Sequence, residues 1–394
     1  MTFHRPATND IAPFPVASPA AATVFTTLIG GPPMPRVELA RVVGLSAAAV
    51  TRVVRPLLDL GYLVETASER SDLSVGRPVS PLRVVADRQF FIGVKITATE
   101  LIGVLTDLQA HVRAVRHVKL DSSDVETVVP AIAGLTAALR SDSPVPEEWI
   151  GGLGVGVTGD IDRVLGIARE SPFLGWRNVP LAQMVANATG LPTVVDNDVR
   201  ALTLAEKWFG AGVGVKSFAL VTIGTGIGCG LYMNNEIVRG AHGVAGEIGH
   251  LPLVSGDRLC TCGRSGCVET LASASAVLQD IQALPRPGVE SMKDAVALAH
   301  AGDHEVRGVF DRAGVLIGRA LAVITNIVGP KCIILSAEGM EEYELYDARI
   351  RESFREHSFG SAAECELIVR PLSSDAWARG AAVGAIESFV RSRL

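Results

Sequence analysis

The sequence predicts a mixed α/β protein preceded by a small helical segment. A chain of 394 residues with 48% apolar content can bury large cores, and two to three domains is its natural size class. From about residue 90 onward, strand-like and helix-like stretches alternate in a Gly-rich background. Two seams, one rich in Pro and Ala up to about Ala20 and one rich in Ser, Gly, Arg and Pro from Ser68 to Pro81, set off a helical stretch between them.

Residues 1–20 show no periodicity and are expected to form a loose tail. A first helix is predicted from Ala21 to Ile29, stopped by Gly30-Gly31, and a second from Arg36 to Val43, stopped by Gly44. Ser46 suits the N-cap of a third helix running to about Leu60, with Val50, Val53, Leu57 and Leu60 on one face and Ala47, Ala48, Thr51, Arg52 and Arg55 on the other. Pro56 removes the backbone bond to Arg52 and predicts a kink or an earlier end. Helix, glycine turn and a helix with small and basic outer residues make a helix-turn-helix pattern, and the segments at 62–65 and 82–85 would form a β-hairpin wing with Gly76-Arg77-Pro78 at its tip.

Charge agrees with a DNA-binding reading of this segment. Residues 1–90 hold nine Arg (5, 36, 41, 52, 55, 70, 77, 83, 88) against seven acids (10, 38, 59, 65, 69, 72, 87), a local +2 in a chain of net charge −6. Arg52, Arg55 and Arg77 can neutralise phosphates or reach guanine edges, with Ser46, Ala47 and Thr51 beside them. The alternative is a helical protein-interaction module. The chain as a whole is too acidic for a general polyanion binder. It has no run of about 18 apolar residues and no basic stretch leading into an apolar core at its start, so neither a membrane span nor secretion is expected.

In the remainder, strands are predicted over 90–96, 101–107 and 112–120, followed by a helix over about 125–139, and a second strand group begins at Ser217. The sequence Val195-Asp196-Asn197-Asp198 leads into a helix near Val199, where Asp198 reads either as a carboxylate aimed from a strand end or as an N-cap. Thr222-Ile223-Gly224-Thr225-Gly226-Ile227-Gly228-Cys229-Gly230 is a glycine loop between two strands. Its amides could surround a phosphate, although a hairpin turn needs glycine as well.

The most specific signal spans about 246–270, where Gly246-Glu-Ile-Gly-His250 precedes Cys260-Thr-Cys262-Gly-Arg-Ser-Gly-Cys267-Val-Glu269. His250, Cys260, Cys262 and Cys267 form a donor set that favours zinc, and four such ligands close a tetrahedral structural site. A disulfide between Cys260 and Cys262 would close a strained ring. Glu247 and Glu269 bracket the set, either as acceptors for several hydroxyls or as supports of the metal loop. Cys229, Cys332 and Cys365 lie in apolar or strand-like surroundings and read as buried thiols of a reducing cytoplasm.

The Gly-Glu-x-Gly-His block and the cysteines after it resemble the signature of the ROK family of bacterial sugar kinases and sugar-responsive repressors. The resemblance extends to Gly154-Val155-Gly156-Val157-Thr158-Gly159, where Thr158 replaces a proline, to Ser171-Pro172-Phe173-Leu174-Gly175-Trp176, to Asn197-Asp198, and to the Gly-Arg-Pro that ends the winged helix of ROK repressors. It implies an actin/hexokinase-like (ribonuclease H-like) fold of two lobes over 86–394, preceded by a winged helix-turn-helix over 21–85. It also implies sugar binding by Asn197, Asp198, Glu247, His250 and Glu269, with Asp198 as the base in a kinase, and a second phosphate loop at Gly224, Thr225, Gly226 and Gly228. His250 would offer one ring nitrogen to zinc and the other to sugar.

The match fails at the first phosphate loop, Asp-x-Gly-Gly-Thr in the kinases. Lys95 falls at the Asp that organises magnesium, Thr97 and Ala98 fall at the glycines, and Leu335-Ser336-Ala337-Glu338-Gly339 has lost the Gly-Gly near adenine. A sugar-responsive transcription regulator, most simply a repressor, is therefore expected rather than an ATP- and magnesium-dependent sugar kinase. Its partners would be operator DNA and a sugar or N-acetylamino sugar, and its assembly a homodimer or dimer of dimers. Sugar is expected to favour a closed cleft and so change operator binding. An ATP-dependent sugar kinase using Asp198, and a regulator whose cleft is inert and which signals through a protein partner, are the alternatives.

Overall fold

Ser18 accepts the amide of Ala21 through its side chain and starts α1, Pro19–Ile29, so the helix begins two residues inside the stretch expected to be tail. The computed structural model describes residues 18–66, 80–256, 258–285 and 288–391. The chain divides into two compact units, Met1–Val213 with Trp377–Leu394, and Gly214–Ala376.

In the first unit, α2 (Arg36–Val43) ends at Gly44 in the left-handed conformation, and α3 (Ala47–Asp59) is capped by the Ser46 hydroxyl, which accepts from the Ala49 amide at 3.2 Å. Helix α3 runs through Pro56 to Asp59, so the predicted early end does not occur. Its buried residues are Val50, Val54 and Leu57, with Val54 in place of the expected Val53. Spacings of four and three residues keep one stripe on a helix of 3.6 residues per turn. Strands β1 (Leu63–Glu65) and β2 (Leu82–Val84) pair antiparallel, while Gly76-Arg77-Pro78 lies outside the described residues.

The large sheet of this unit contains β3 (Phe90–Ile96), β4 (Glu100–Asp107) and β5 (Val112–Lys119), followed by α4 (Val125–Ser141) and then β6 (Ile150–Val157). A separate three-stranded sheet, β7 (Asp160–Asp162), β8 (Ile167–Ser171) and β9 (Trp176–Val179), precedes α5 (Leu181–Thr189), β10 (Thr193–Asn197) and α6 (Asp198–Phe209). The strand order is β10-β6-β3-β4-β5, with β6 parallel to both β10 and β3.

In the second unit, β11 (Phe218–Ile223), β12 (Ile227–Met233) and β13 (Glu236–Ile237) precede the short helix α7 (Glu269–Ala272), α8 (Ala274–Gln282), α9 (Met292–His300) and the long α10 (His304–Val328). Then come β14 (Cys332–Ala337), α11 (Met340–His357) and β15 (Glu366–Pro371), giving a sheet of order β13-β12-β11-β14-β15. Helix α12, Ser374–Arg391, lies from Trp377 onward in the first unit. There it sits directly on the sheet: Gly93 and Gly154 are register partners on β3 and β6, and a Cβ on either would lie 1.9 Å from the carbonyl oxygen of Ala378 or Ala381. Glycine is required at both positions because backbone approaches backbone.

An aromatic series joins the N-terminal helices to this sheet. Phe25 packs edge-on against Tyr62, Tyr62 against Phe389 of α12, and Phe389 against Phe91 of β3, with ring centroids 5.3–6.4 Å apart.

Candidate functional site

In the first unit, the end of β10 is held by charge. The Asp196 carboxylate receives Arg163 and Arg200 at 2.8 Å each, and Arg200 also donates to the Ile161 carbonyl. Burial alone would raise the Asp196 carboxyl, but the two guanidinium groups outweigh it and hold it below the usual range. This fixes the start of α6. The N-cap there is Asn197 rather than Asp198: its Oδ1 accepts from the amides of Val199 and Arg200, and its Nδ2 donates to the Gly159 carbonyl at 3.1 Å. Most of the hydrogen-bonding capacity of Asn197 is thus spent on the fold.

Asp198, the first residue of α6, is buried, and Oδ2 of its carboxylate is paired with the ammonium of Lys95. The same oxygen accepts the Thr158 hydroxyl at 2.7 Å, and Lys95 Nζ is 3.0 Å from Thr158 Oγ1 and 5.2 Å from the centre of the Trp377 ring. Burial pushes the Asp198 carboxyl up, but Lys95, Thr158 and the Val199 amide pull it below its ordinary value. A carboxylate stabilised in its charged form is a poor acceptor for a substrate proton. Lys95 and Thr158 are two of the positions that depart from the kinase pattern, and both converge on the carboxylate that would be the base. Thr97, at a lost loop glycine, closes a tight turn: its Oγ1 accepts from the amides of Thr99 and Glu100 and donates to the Glu100 carbonyl.

In the second unit, His250 ends a single 3-10 turn, Ile248–His250. The donor atoms of His250, Cys260, Cys262 and Cys267 all lie within 4.8 Å of one another, a cluster that could hold a metal ion. His250 Nδ1 is 3.4 Å from Cys260 Sγ, and the sulfurs of Cys262 and Cys267 are 3.6 Å apart. Two thiolates on one tetrahedral zinc stand about 3.8 Å apart for Zn–S bonds of about 2.3 Å, whereas a disulfide needs about 2.05 Å. The set is compatible with zinc, and its cysteines are free. Burial would raise the Cys262 thiol, yet hydrogen bonds from Arg264 and the neighbouring thiols bring it down to about 6. Burial and the sulfurs of Cys262 and Cys260 push Cys267 up to about 12, so the pair favours one shared thiolate rather than two. The other ring nitrogen, Nε2, is 3.9 Å from Glu247 Oε2, so the two nitrogens face different chemistry.

Glu247 is exposed, and Glu269 is half-buried at the start of α7. Oε2 of Glu269 accepts from the Ile227 amide at 3.1 Å at the end of the glycine loop. The loop joins β11 to β12, which pair antiparallel with Thr222 opposite Gly228. Of the remaining cysteines, Cys229 and Cys332 are buried as expected, while Cys365 is half-buried. The proposed sugar set therefore has Asn197 and Asp198 on one unit and Glu247, His250 and Glu269 on the other.

On α3, Ser46, Ala47, Thr51, Arg52 and Arg55 are all exposed, and Arg77 lies outside the described residues. Sequence reasoning missed the roles of Lys95, Thr158 and Glu338 as partners. The charge reversal at Lys95 was the visible signal, but nothing in the sequence named its acceptor.

A profile of the ROK family matches residues 91–387. The xylose repressor of Caldicellulosiruptor bescii is 28% identical over 349 residues, covering 85% of this chain and 87% of that protein. The glucokinase of Thermotoga maritima is 30% identical over 319 residues, covering 77% of this chain and 98% of the kinase. Among solved structures, a ROK family transcriptional regulator described as a homologue of Escherichia coli Mlc superposes with a TM-score of 0.80 at 25% identity, covering 94% of this chain and 96% of the other.

Proposed function

Because the chain belongs to the ROK family, we propose that it is a sugar-responsive, DNA-binding transcription regulator, most simply a repressor. Coverage carries this proposal. Nearly the whole of a glucokinase corresponds to 77% of this chain, whereas a ROK regulator corresponds to 94%. The family profile begins at residue 91, leaving outside it the N-terminal helices, a winged helix-turn-helix in this reading, whose exposed Ser46, Ala47, Thr51, Arg52 and Arg55, with Arg77, would meet operator DNA. In this reading the DNA-binding domain takes 21–85 and the sugar-binding domain 86–394, a division by role that differs from the two compact units of the fold. A two-fold operator would call for a homodimer or a dimer of dimers. The regulator would work in the cytoplasm, and among the described residues no helix is long and apolar enough to cross a membrane.

The effector is a sugar or N-acetylamino sugar whose hydroxyls are taken by Asn197, Asp198, Glu247, His250 and Glu269. Zinc on His250, Cys260, Cys262 and Cys267 would tie the loop that carries His250, leaving Nε2 for the ligand. Sugar binding shifts the population between states of different operator affinity, a coupling of typically about 1–3 kcal/mol. The aromatic series from Phe91 to Phe25 is a physical link between the strand carrying Lys95 and the DNA-facing helices. Kinase relatives favour the alternative of an ATP-dependent sugar kinase, against which the pairing of Asp198 with Lys95 argues.

The test is fluorescence anisotropy of the full chain on DNA from its own upstream region, with xylose, glucose and N-acetylglucosamine titrated in without ATP. Saturable DNA binding that one sugar changes is the expected result. No DNA binding, with sugar-dependent ADP formation in a separate assay supplied with ATP and magnesium, would replace the regulator by the kinase.

A further inference from the structure

Strand β14 lies parallel to β11 with Ala337 opposite Ile223, so the next residue, Glu338, arrives beside the glycine loop, and its amide donates to the Ile223 carbonyl at 3.2 Å. Its side chain then turns onto the loop. Oε2 of Glu338 accepts from the Thr225 amide at 3.2 Å, and a Cβ built on Gly224 would lie 2.1 Å from that oxygen. On the other side of the loop, Oε2 of Glu269 accepts the Ile227 amide. The carbonyls of the loop are tied as well, since the Ala274 amide donates to the Gly224 carbonyl and Ser275 Oγ to the Thr225 carbonyl. Two amides of a glycine loop, the kind that surrounds phosphate oxygens, are thus occupied by carboxylates of the same chain.

We propose that Glu338 is a built-in occupant of this loop, a tethered carboxylate standing where a nucleotide phosphate oxygen would stand, which closes the loop to phosphate. The inference shares with the proposed function only the view that no nucleotide is used, and it needs neither sugar nor operator. Glycine at 224 leaves room for an oxygen against the backbone, and Glu338 fills that room. Being tethered, the carboxylate competes at an effective concentration of order millimolar or more. An incoming phosphate would have to displace it and still meet its charge together with Glu341 and Glu342, which crowd the same corner: burial and the charges of Glu338 and Glu341 push the Glu342 carboxyl above its ordinary range.

Isothermal titration of the full chain with ADP and with inorganic pyrophosphate tests this, comparing wild type with Glu338→Ala and Glu338→Gln. Wild type should bind neither probe at low millimolar concentration. Glu338→Ala should gain affinity by about tenfold or more, and Glu338→Gln, which keeps the acceptor but loses the charge, should fall between. Wild type binding ADP as tightly as Glu338→Ala would overturn the proposal, and so would folded variants, judged by unchanged thermal midpoint, that bind neither probe. If Glu338→Ala fails to fold, Glu338→Gln against wild type decides the matter alone. Gain of ADP affinity in a protein that binds no DNA would leave the occupied loop standing and remove the regulator.

Discussion

The ammonium of Lys95, at the end of β3, is paired with the carboxylate of Asp198, the first residue of α6, with Thr158 bonded to both. In the kinase pattern a carboxylate stands at position 95 and organises a metal. Here a cation stands there and takes up the carboxylate that would have been the base. At Glu338, a further departure from that pattern also acquires a partner inside the protein.

Removing the Lys95 charge should unmask its role in stability. Both side chains are nearly excluded from solvent, so Lys95→Met leaves a buried carboxylate unpaired and should cost about 3–5 kcal/mol in urea unfolding at neutral pH. The folded Asp198 pKa is depressed, so in wild type its contribution is present above the unfolded value of about 3.9 and is lost as pH falls through the lower folded value. In the variant the attraction of Lys95 is gone while burial still opposes the charged form, so the folded pKa should rise even with Thr158 and the Val199 amide still bonded, and the deficit should shrink as pH falls from 7.5 toward 4.5. A pH-independent difference would mean that the pair is not the source.

The metal cluster predicts zinc content. Purified protein should carry about one zinc per chain by mass spectrometry of the metal, and Cys262→Ser should lose it. Each kcal/mol of stability that goes with the metal should lower the thermal midpoint by roughly 2–4 °C in a domain of this size. Chelator treatment of wild type should reproduce the drop. Normal zinc content in Cys262→Ser would remove the metal assignment.

Operator binding should depend on salt through the arginines of α3. Arg52→Ala and Arg55→Ala should each weaken binding about tenfold, and the slope of log affinity against log salt should fall by about 0.9 for each phosphate no longer neutralised. Unchanged slopes in both variants would place the DNA-binding surface elsewhere.

Effector recognition should be separable from the metal and from DNA. Glu247→Gln keeps the shape of an exposed side chain but loses a charged acceptor, and should weaken sugar binding by about 1.5–3 kcal/mol while zinc content and sugar-free operator binding stay as in wild type. Full retention of the sugar response would exclude Glu247 from the ligand set.

Much of this protein could be read from residues close together in the chain. The helices capped by Ser46 and stopped by Gly44, the strands from Phe90 to Lys119, and the quartet from His250 to Cys267 all declare themselves locally. Caps, periods and ligand spacings act over a few to some twenty residues, so sequence alone determines them. Within α3, even a one-residue choice between Val53 and Val54 was left to packing, because both fit an apolar stripe until a neighbour is present. Strand order and register were decided by tertiary structure. Only the order β10-β6-β3 brings the ends of β3, β6 and β10 together, and so sets Lys95, Thr158 and Asp198, up to 103 residues apart, in one network. Likewise the parallel pairing of β14 with β11 delivers Glu338 to Thr225 across 113 residues. A period along a strand tells which side chains share a face, but not which strand lies alongside. For that reason the sequence alone showed the altered positions, and only the fold showed what each was paired with.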